Sequence, residues 1–314
     1  MKILFFGTAE ISKIYLEILH RDGYELFVIT ASDKPALRGQ RLTRPAVKVF
    51  AVKNNINFIQ PEKLDSTVIK TVKDFNPDVG IAVAYGKLIP KTVFDLPKYK
   101  TFNIHFSLLP KYRGAAPVQR ALYNGETETG VSAFYIKEGF DTGDTIIQKK
   151  LKIDINDNAE TLFAKLIPLG VNLMNEILSL FRHGKTDALP QIGKPSYAPT
   201  FKKKDGLVDW KKSADVIYNQ FRGLYIWPGL CSVISQGKLL GKKIRFINIE
   251  VFEKDSVNKS FGVVSSKEKN KGFTVSCGIG KMLITKIQPE SKAVMSAWDF
   301  VQGRQILVGD RFQS

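Results

Sequence analysis

An α/β domain built on a mostly parallel sheet, followed by a smaller domain of short strands, is predicted from three observations. Through residue 182, short apolar runs alternate with stretches of helical periodicity, the pattern of βαβ units. A polar stretch over 183–206 holding Pro190, Pro195 and Pro199 then interrupts that alternation, as a linker would. Beyond it, strand-like runs recur at short spacing, which suggests a small barrel or sandwich.

The elements follow in order. KILFF (2–6) is an apolar run ended by Gly7, and residues 9–21 place Ile11, Ile14, Tyr15, Ile18 and Leu19 at helical spacing. ELFVIT (25–30) is a strand, and 45–54 a helix with Pro45 at its tolerated first position. INFIQ (56–60) is a strand, followed by a helix over 65–75. VGIAVAY (79–85) is apolar throughout, so it is a strand buried on both faces. TFNIHFS (101–107) is a strand, 116–124 a helix, and VSAFYI (131–136) and DTIIQKKLKI (144–153) are strands. Asn158 opens a long helix to about residue 182. After the break come a helix over 213–221 and the runs CSVIS, KIRFINIEVF, FGVVSS, FTVSCG and KMLITKIQP. The expected domains are therefore 1–188 and 207–314, with a linker over 189–206.

Composition narrows the function classes. At 314 residues, 44% hydrophobic and 25% charged, wholesale disorder is excluded. Cys231 and Cys277 cannot build a disulfide framework, and no C-x-x-C offers a structural zinc site; no metal is expected. The first apolar run is too short for a signal peptide, and no run reaches 18 apolar residues. A soluble, cytoplasmic protein without membrane contact is expected, and nothing suggests an obligate interface, so a monomer. Charge is the anomaly: 47 Lys and Arg face 30 Asp and Glu, a net +17. Residues 201–314 hold 20 basic and 10 acidic residues, more than half of that excess. Such a surface attracts polyanions, nucleic acid foremost; a solvated lysine-rich surface is the plainer reading.

Three segments carry chemistry. NIHFSLLPKYRGAAPVQRAL (103–122) sets Asn103 and His105 two apart on a strand, hence on one face, with Ser107 continuing it. SLLP ends the strand, so an amide, an imidazole and a hydroxyl stand at its carboxyl end, where open α/β sheets bind ligands. GFDTGDTI (139–146) is a glycine-rich turn with Asp141 and Asp144. Either aspartate can form a local turn bond or face His105; an Asp–His pair favours the imidazolium and sets its tautomer. Asn103 would donate to an oxyanion. This set needs no cysteine or serine nucleophile and suits direct attack of a substrate amine on an acyl group. ASDKPALRGQRLTRPAVK (31–48) places Lys34, Arg38, Arg41, Arg44 and Lys48 on the same rim, as a solvated loop or as a grip on phosphates. FFGTAEIS lacks two of the three glycines of a dinucleotide fingerprint.

Taken together, FGTAEIS, DKPALRG, NIHFSLLPKYRGAAPVQRAL, GFDTGD, PSYAPTFKKKDGLVDW, YIWPG and IQPESKAVMSAWDFVQGRQ resemble the methionyl-tRNA formyltransferase family over nearly the whole chain. The N-I-H…S-L-L-P core is similar to other 10-formyltetrahydrofolate enzymes; RGAAP, the basic loop and the C-terminal segments narrow it. The resemblance implies a Rossmann-like domain with helices on both sheet faces, a linker, and an OB-like barrel that holds tRNA. It implies Asn103, His105 and Asp141 as catalytic, choosing Asp141 over Asp144. It implies 10-formyltetrahydrofolate as formyl donor, contacted by Ser107, Leu108, Leu109 and Pro110, with VAYGKLIP (83–90) lining its pocket. Initiator methionyl-tRNA is the implied acceptor, gripped by Lys34, Arg38 and Arg41. Two positions depart from the pattern: Ala9, where the family usually has Pro, and Leu37, where it usually has Gly.

Three rivals remain. A formyltransferase acting on a small amine would keep the same trio but has less use for the charge. A nucleic-acid binder on an inactive enzyme fold has no reason to keep all three residues. A formyltetrahydrofolate hydrolase needs no basic second domain.

Overall fold

The computed structural model describes residues 1–35 and 42–313. The chain divides into two compact units, one of 1–117, 128–152 and 164–198, the other of 118–127, 153–163 and 199–314.

The first stretch of chain forms β1 (Lys2–Gly7), α1 (Glu10–Arg21), β2 (Glu25–Ile29), the short pair β3 (Lys34–Pro35) and β4 (Leu42–Thr43), and α2 (Ala46–Lys53). Next come β5 (Asn57–Ile59), α3 (Ser66–Phe75), β6 (Val79–Val83), α4 (Lys91–Phe94) and β7 (Thr101–His105). The series ends with α5 (Pro117–Tyr123), β8 (Glu128–Tyr135), β9 (Thr145–Lys152) and α6 (Ala159–Arg182). Seven strands make one sheet in the order β5-β2-β1-β6-β7-β8-β9. Five of them run parallel, while β8 and β9 are antiparallel additions at one edge. Leu4, Phe6, Phe27 and Ile29 face α3 and α4 on one side. Alternate residues face the other side, where Tyr15 of α1 donates to the Ile167 carbonyl of α6 at 3.3 Å. Asp65 caps α3 by accepting from Thr67 N–H at 3.0 Å, and Asn158 does the same for α6. Among the described residues α6 alone is long and apolar enough to cross a membrane, yet Leu166, Leu173, Ile177 and Phe181 are fully buried in the fold, as in a core helix.

Two expectations need correction, at the strand over 101–107 and in the basic loop. The strand expected over 101–107 ends at His105, because Ser107 turns its hydroxyl inward to the Lys111 carbonyl at 2.6 Å. The basic loop contains the β3–β4 pair, with Lys34 opposite Thr43. Within the segment expected as a linker, Leu189 exchanges backbone bonds with Thr145, and residues 196–198 do so with Pro110, Arg113 and Ala116.

The second unit holds a 3-10 turn (Lys203–Gly206), α7 (Ala214–Gly223), β10 (Leu230–Gln236), β11 (Lys243–Val257), β12 (Val264–Glu268) and β13 (Gly272–Ser276). It is completed by β14 (Ile279–Pro289), β15 (Met295–Ser296), α8 (Ala297–Gln302) and β16 (Arg311–Phe312). The sheet is antiparallel, ordered β12-β13-β14-β11-β10-β16. It curls back on itself: Phe312 N–H bonds Gly262 O at 2.8 Å, and Val264 N–H bonds Asp310 O at 2.9 Å. Trp210, Phe246, Phe273 and Phe312 fill the interior, with Trp210 centred 5.8 Å from Phe246 and 5.7 Å from Phe312. Arg222 is buried in this unit, and its guanidinium donates to the carbonyls of Asp157 at 2.6 Å and Asp154 at 2.7 Å. Both cysteines are buried, and burial pushes the Cys277 thiol up to about 12. Thiolates are the reactive form, so the native chain should resist alkylation at pH 8 and react only on unfolding, as mass spectrometry of alkylated protein would show.

Candidate active site

The chain runs outward through β1, β2 and β5, then returns to place β6 on the other side of β1. That reversal opens a crevice at the carboxyl ends of β1 and β6, the place where such sheets take ligands. Hydrogen bonds fix its floor. Ser12 Oγ donates to Val83 O at 2.6 Å and accepts from Thr8 N–H at 3.2 Å, and Thr8 Oγ1 donates to Tyr85 O at 2.9 Å. A Cβ on Gly7 would lie 2.7 Å from Ser12 Cβ, so this close turn requires glycine.

Beside the crevice, β7 pairs Asn103 with Ala82 on one side and Phe134 on the other, and His105 lies opposite Ser132. Asn103 and His105 share a face, as the period of two requires. His105 is 6% exposed, and its Nε2 lies 2.9 Å from the Tyr112 carbonyl. A carbonyl only accepts, so Nε2 carries a proton. Nδ1 faces the Asp141 carboxylate at 3.6 Å, longer than a hydrogen bond, so this nitrogen keeps room for another partner. Among the described residues no hydrogen bond engages the Asn103 amide.

The turn after β8 carries Asp141 in the left-handed region, at φ 52°. Non-glycine residues adopt that conformation at a cost of about 1–3 kcal/mol, held by their surroundings. Here the hold is visible. Asp141 Oδ2 accepts from Gly114 N–H at 2.7 Å, and its backbone carbonyl accepts from Gln191 Nε2 at 2.9 Å. Gly114 itself sits at φ 122°, where a Cβ would come 2.9 Å from the Ala198 carbonyl. Asp144 faces elsewhere, bonded to Lys137 Nζ at 2.7 Å.

The loop after β7 is built from inside. Ser132 Oγ donates to Ser107 O at 2.6 Å and accepts from Leu109 N–H at 3.1 Å and from Gln148 Nε2 at 2.9 Å. Gln148 also donates to Leu109 O at 2.7 Å. Ser107, Leu109 and Pro110 are buried and Leu108 is half-buried. Sequence reasoning missed Ser132, Gln148 and Gln191. Each acts on backbone far away along the chain, and neither charge nor motif marks it. Among the described residues, no three His, Cys, Asp or Glu side chains gather as metal ligands would.

Family models for formyl transferase match residues 1–178, and for its C-terminal domain residues 200–305. A methionyl-tRNA formyltransferase of Endomicrobium trichonymphae is 67% identical over 312 residues, covering 99% of this chain and 100% of the relative. This chain belongs to the methionyl-tRNA formyltransferase family. A second member of that name, from Thermodesulfovibrio yellowstonii, is 42% identical over 98% of this chain and 97% of its own length. The N-formyltransferase from Helicobacter canadensis, solved with folinic acid and dTDP-3-aminofucose, shares the fold at TM-score 0.67 and 20% identity, covering 90% of this chain and 98% of that one. The family match takes in Asn103, His105 and Asp141, while Gln191 lies between the two matched segments.

Of the expected tRNA contacts, Lys34 is exposed, whereas Arg38 and Arg41, like Leu37, lie outside the described residues. Lys48, in the same basic segment, is ion-paired. Its ammonium bonds both carboxylate oxygens of Asp33, at 2.9 and 2.8 Å, with Gln60 donating to the same carboxylate at 2.8 Å. Lys48, and then Gln60, hold the Asp33 carboxyl below the usual carboxylate range.

Proposed function

We propose that this chain transfers the formyl group of 10-formyltetrahydrofolate to the α-amino group of initiator methionyl-tRNA, as a cytoplasmic monomer. The observation that carries the proposal is the 67% identity, end to end, with a methionyl-tRNA formyltransferase. The His105–Asp141 pair, with Asn103 on the same strand face, supports it. The neutral amine attacks the formyl carbon, forming a C–N bond and a tetrahedral oxyanion. The Asn103 amide and an imidazolium at His105 stabilise that oxyanion through their N–H groups. His105 acts through Nδ1, since Nε2 is held by Tyr112. The Asp141 carboxylate supplies the counter-charge and, directly or through water, carries the amine proton to the leaving nitrogen of the folate as the oxyanion collapses and the bond from the formyl carbon to that nitrogen breaks. Ser107, Leu108, Leu109 and Pro110 form the folate wall, held by Ser132 and Gln148. Lys34, Arg38, Arg41 and the basic residues of 207–314 bind tRNA phosphates.

The test is a transfer assay with labelled 10-formyltetrahydrofolate and charged initiator methionyl-tRNA, beside free methionine and a panel of small amines. Label on the aminoacyl-tRNA alone supports the proposal; label on a small amine, or formate released to water, removes the tRNA assignment. Salt gives a second reading. The contacts of Lys34, Arg38 and Arg41 alone predict a rise of at least roughly 40-fold in KM for the tRNA when KCl is raised fourfold. KM for the folate should change by less than about twofold over the same range, and equal responses would defeat the tRNA reading.

A further inference from the structure

We infer that Gln191 is a positioning residue that holds the Asp141 turn in register with His105. The inference rests on the formyl-transfer reading above. A single amide bonds the turn that carries Asp141 and the Arg113 side chain of the loop that carries Tyr112 and Gly114. Its Nε2 donates to the carbonyls of Asp141 at 2.9 Å and Gly143 at 2.8 Å. Its Oε1 accepts from the Arg113 guanidinium, from Nη2 at 2.7 Å and Nε at 3.3 Å. Arg113 lies between Tyr112, whose carbonyl holds His105 Nε2, and Gly114, whose N–H holds the Asp141 carboxylate. Gln191 therefore ties the strained turn that carries the acid to the loop that orients the base.

The segment bearing Gln191 is not anchored there by apolar burial, since Leu189 is 72% and Ile192 87% exposed. Backbone pairing holds it at Leu189–Thr145 and again at Ser196–Arg113. Between those points the Gln191 side chain makes the connection. Asp141 keeps a left-handed backbone, which a non-glycine residue leaves when nothing holds it. Releasing the amide shifts the carboxylate relative to Nδ1, and misplacement by about 1 Å costs up to about 100-fold in rate.

The experiment measures formyl transfer by Gln191→Ala and Gln191→Glu, each in the wild-type and the Asp141→Asn backgrounds. In the wild-type background kcat should fall roughly 10- to 100-fold, with KM for folate and for tRNA within about threefold of wild type. In the Asp141→Asn background the same change should cost less than about twofold, because groups acting through one another do not add. Gln191→Glu keeps the acceptor for Arg113 and loses both donations, so it should lose kcat as alanine does; it decides the matter if the alanine variant fails to fold. Wild-type kcat in Gln191→Glu, a loss carried by KM, or equal losses in both backgrounds would overturn the inference. A wild-type chain that transfers no formyl group at all would instead remove the reading beneath it.

Discussion

Replacing His105 by alanine is expected to lower kcat at least about 100-fold while leaving KM for the tRNA nearly unchanged. The imidazole is buried and held on one nitrogen by Tyr112, with the other turned to Asp141. It can therefore act only on what enters beside Nδ1, and substrate binding does not depend on it. Asn103→Ala should cost a similar factor, since a preorganised donor to an oxyanion is worth about 100- to 1,000-fold. Asp141→Asn separates two roles. It preserves the acceptor for the Gly114 N–H and removes the charge alone, so its loss reports the electrostatic part. Single-turnover rates with saturating folate would check all three. Near-normal turnover in His105→Ala would end the mechanism.

The largest effect on stability is expected at Trp210. Its ring is fully buried among Phe246 and Phe312, and its Nε1 donates to Ser232 Oγ at 3.2 Å. Trp210→Ala should destabilise the second unit by about 3–5 kcal/mol. For a domain of its size that lowers the melting transition by roughly 6–20 °C. Trp210→Phe fills most of the volume but leaves the Ser232 hydroxyl one partner short. It should cost about 1 kcal/mol. Calorimetry of the two variants would check the order, and a Phe variant as unstable as the Ala variant would refute the packing account.

Much of the first unit was legible because parallel strands buried on both faces announce themselves. VGIAV could be little else. The antiparallel edge was not: an apolar run such as that of β8 says nothing about its direction against β7. Asn103, His105 and Asp141 were legible as residue types at a strand end and in a tight turn. Their mutual geometry was not, because it depends on the Tyr112 carbonyl, the Gly114 N–H and the Gln191 amide. Backbone groups carry no signature in sequence, and Gln191 stands 50 residues from the turn that it holds. The partners of Lys48 were hidden for a different reason. A lysine among arginines reads as part of a charge cluster, and only the fold brings Asp33 and Gln60 to it. Helix α4 is a single turn after Pro90, too short to show a period.

The guanidinium of Arg222 bears on how far this protein can be taken apart. Its carbonyl partners, at Asp157 and Asp154, come from chain that precedes the last 115 residues. So does Arg120, stacked 3.7 Å over the Phe201 ring. A fragment begun at residue 207 would take both carbonyl acceptors from that cation and leave it Asn219 Oδ1 alone. The C-terminal third is thus no cassette to be excised or grafted onto another enzyme. Two earlier stretches must travel with it, so recombination that respects only linear order would yield chimaeras that do not fold.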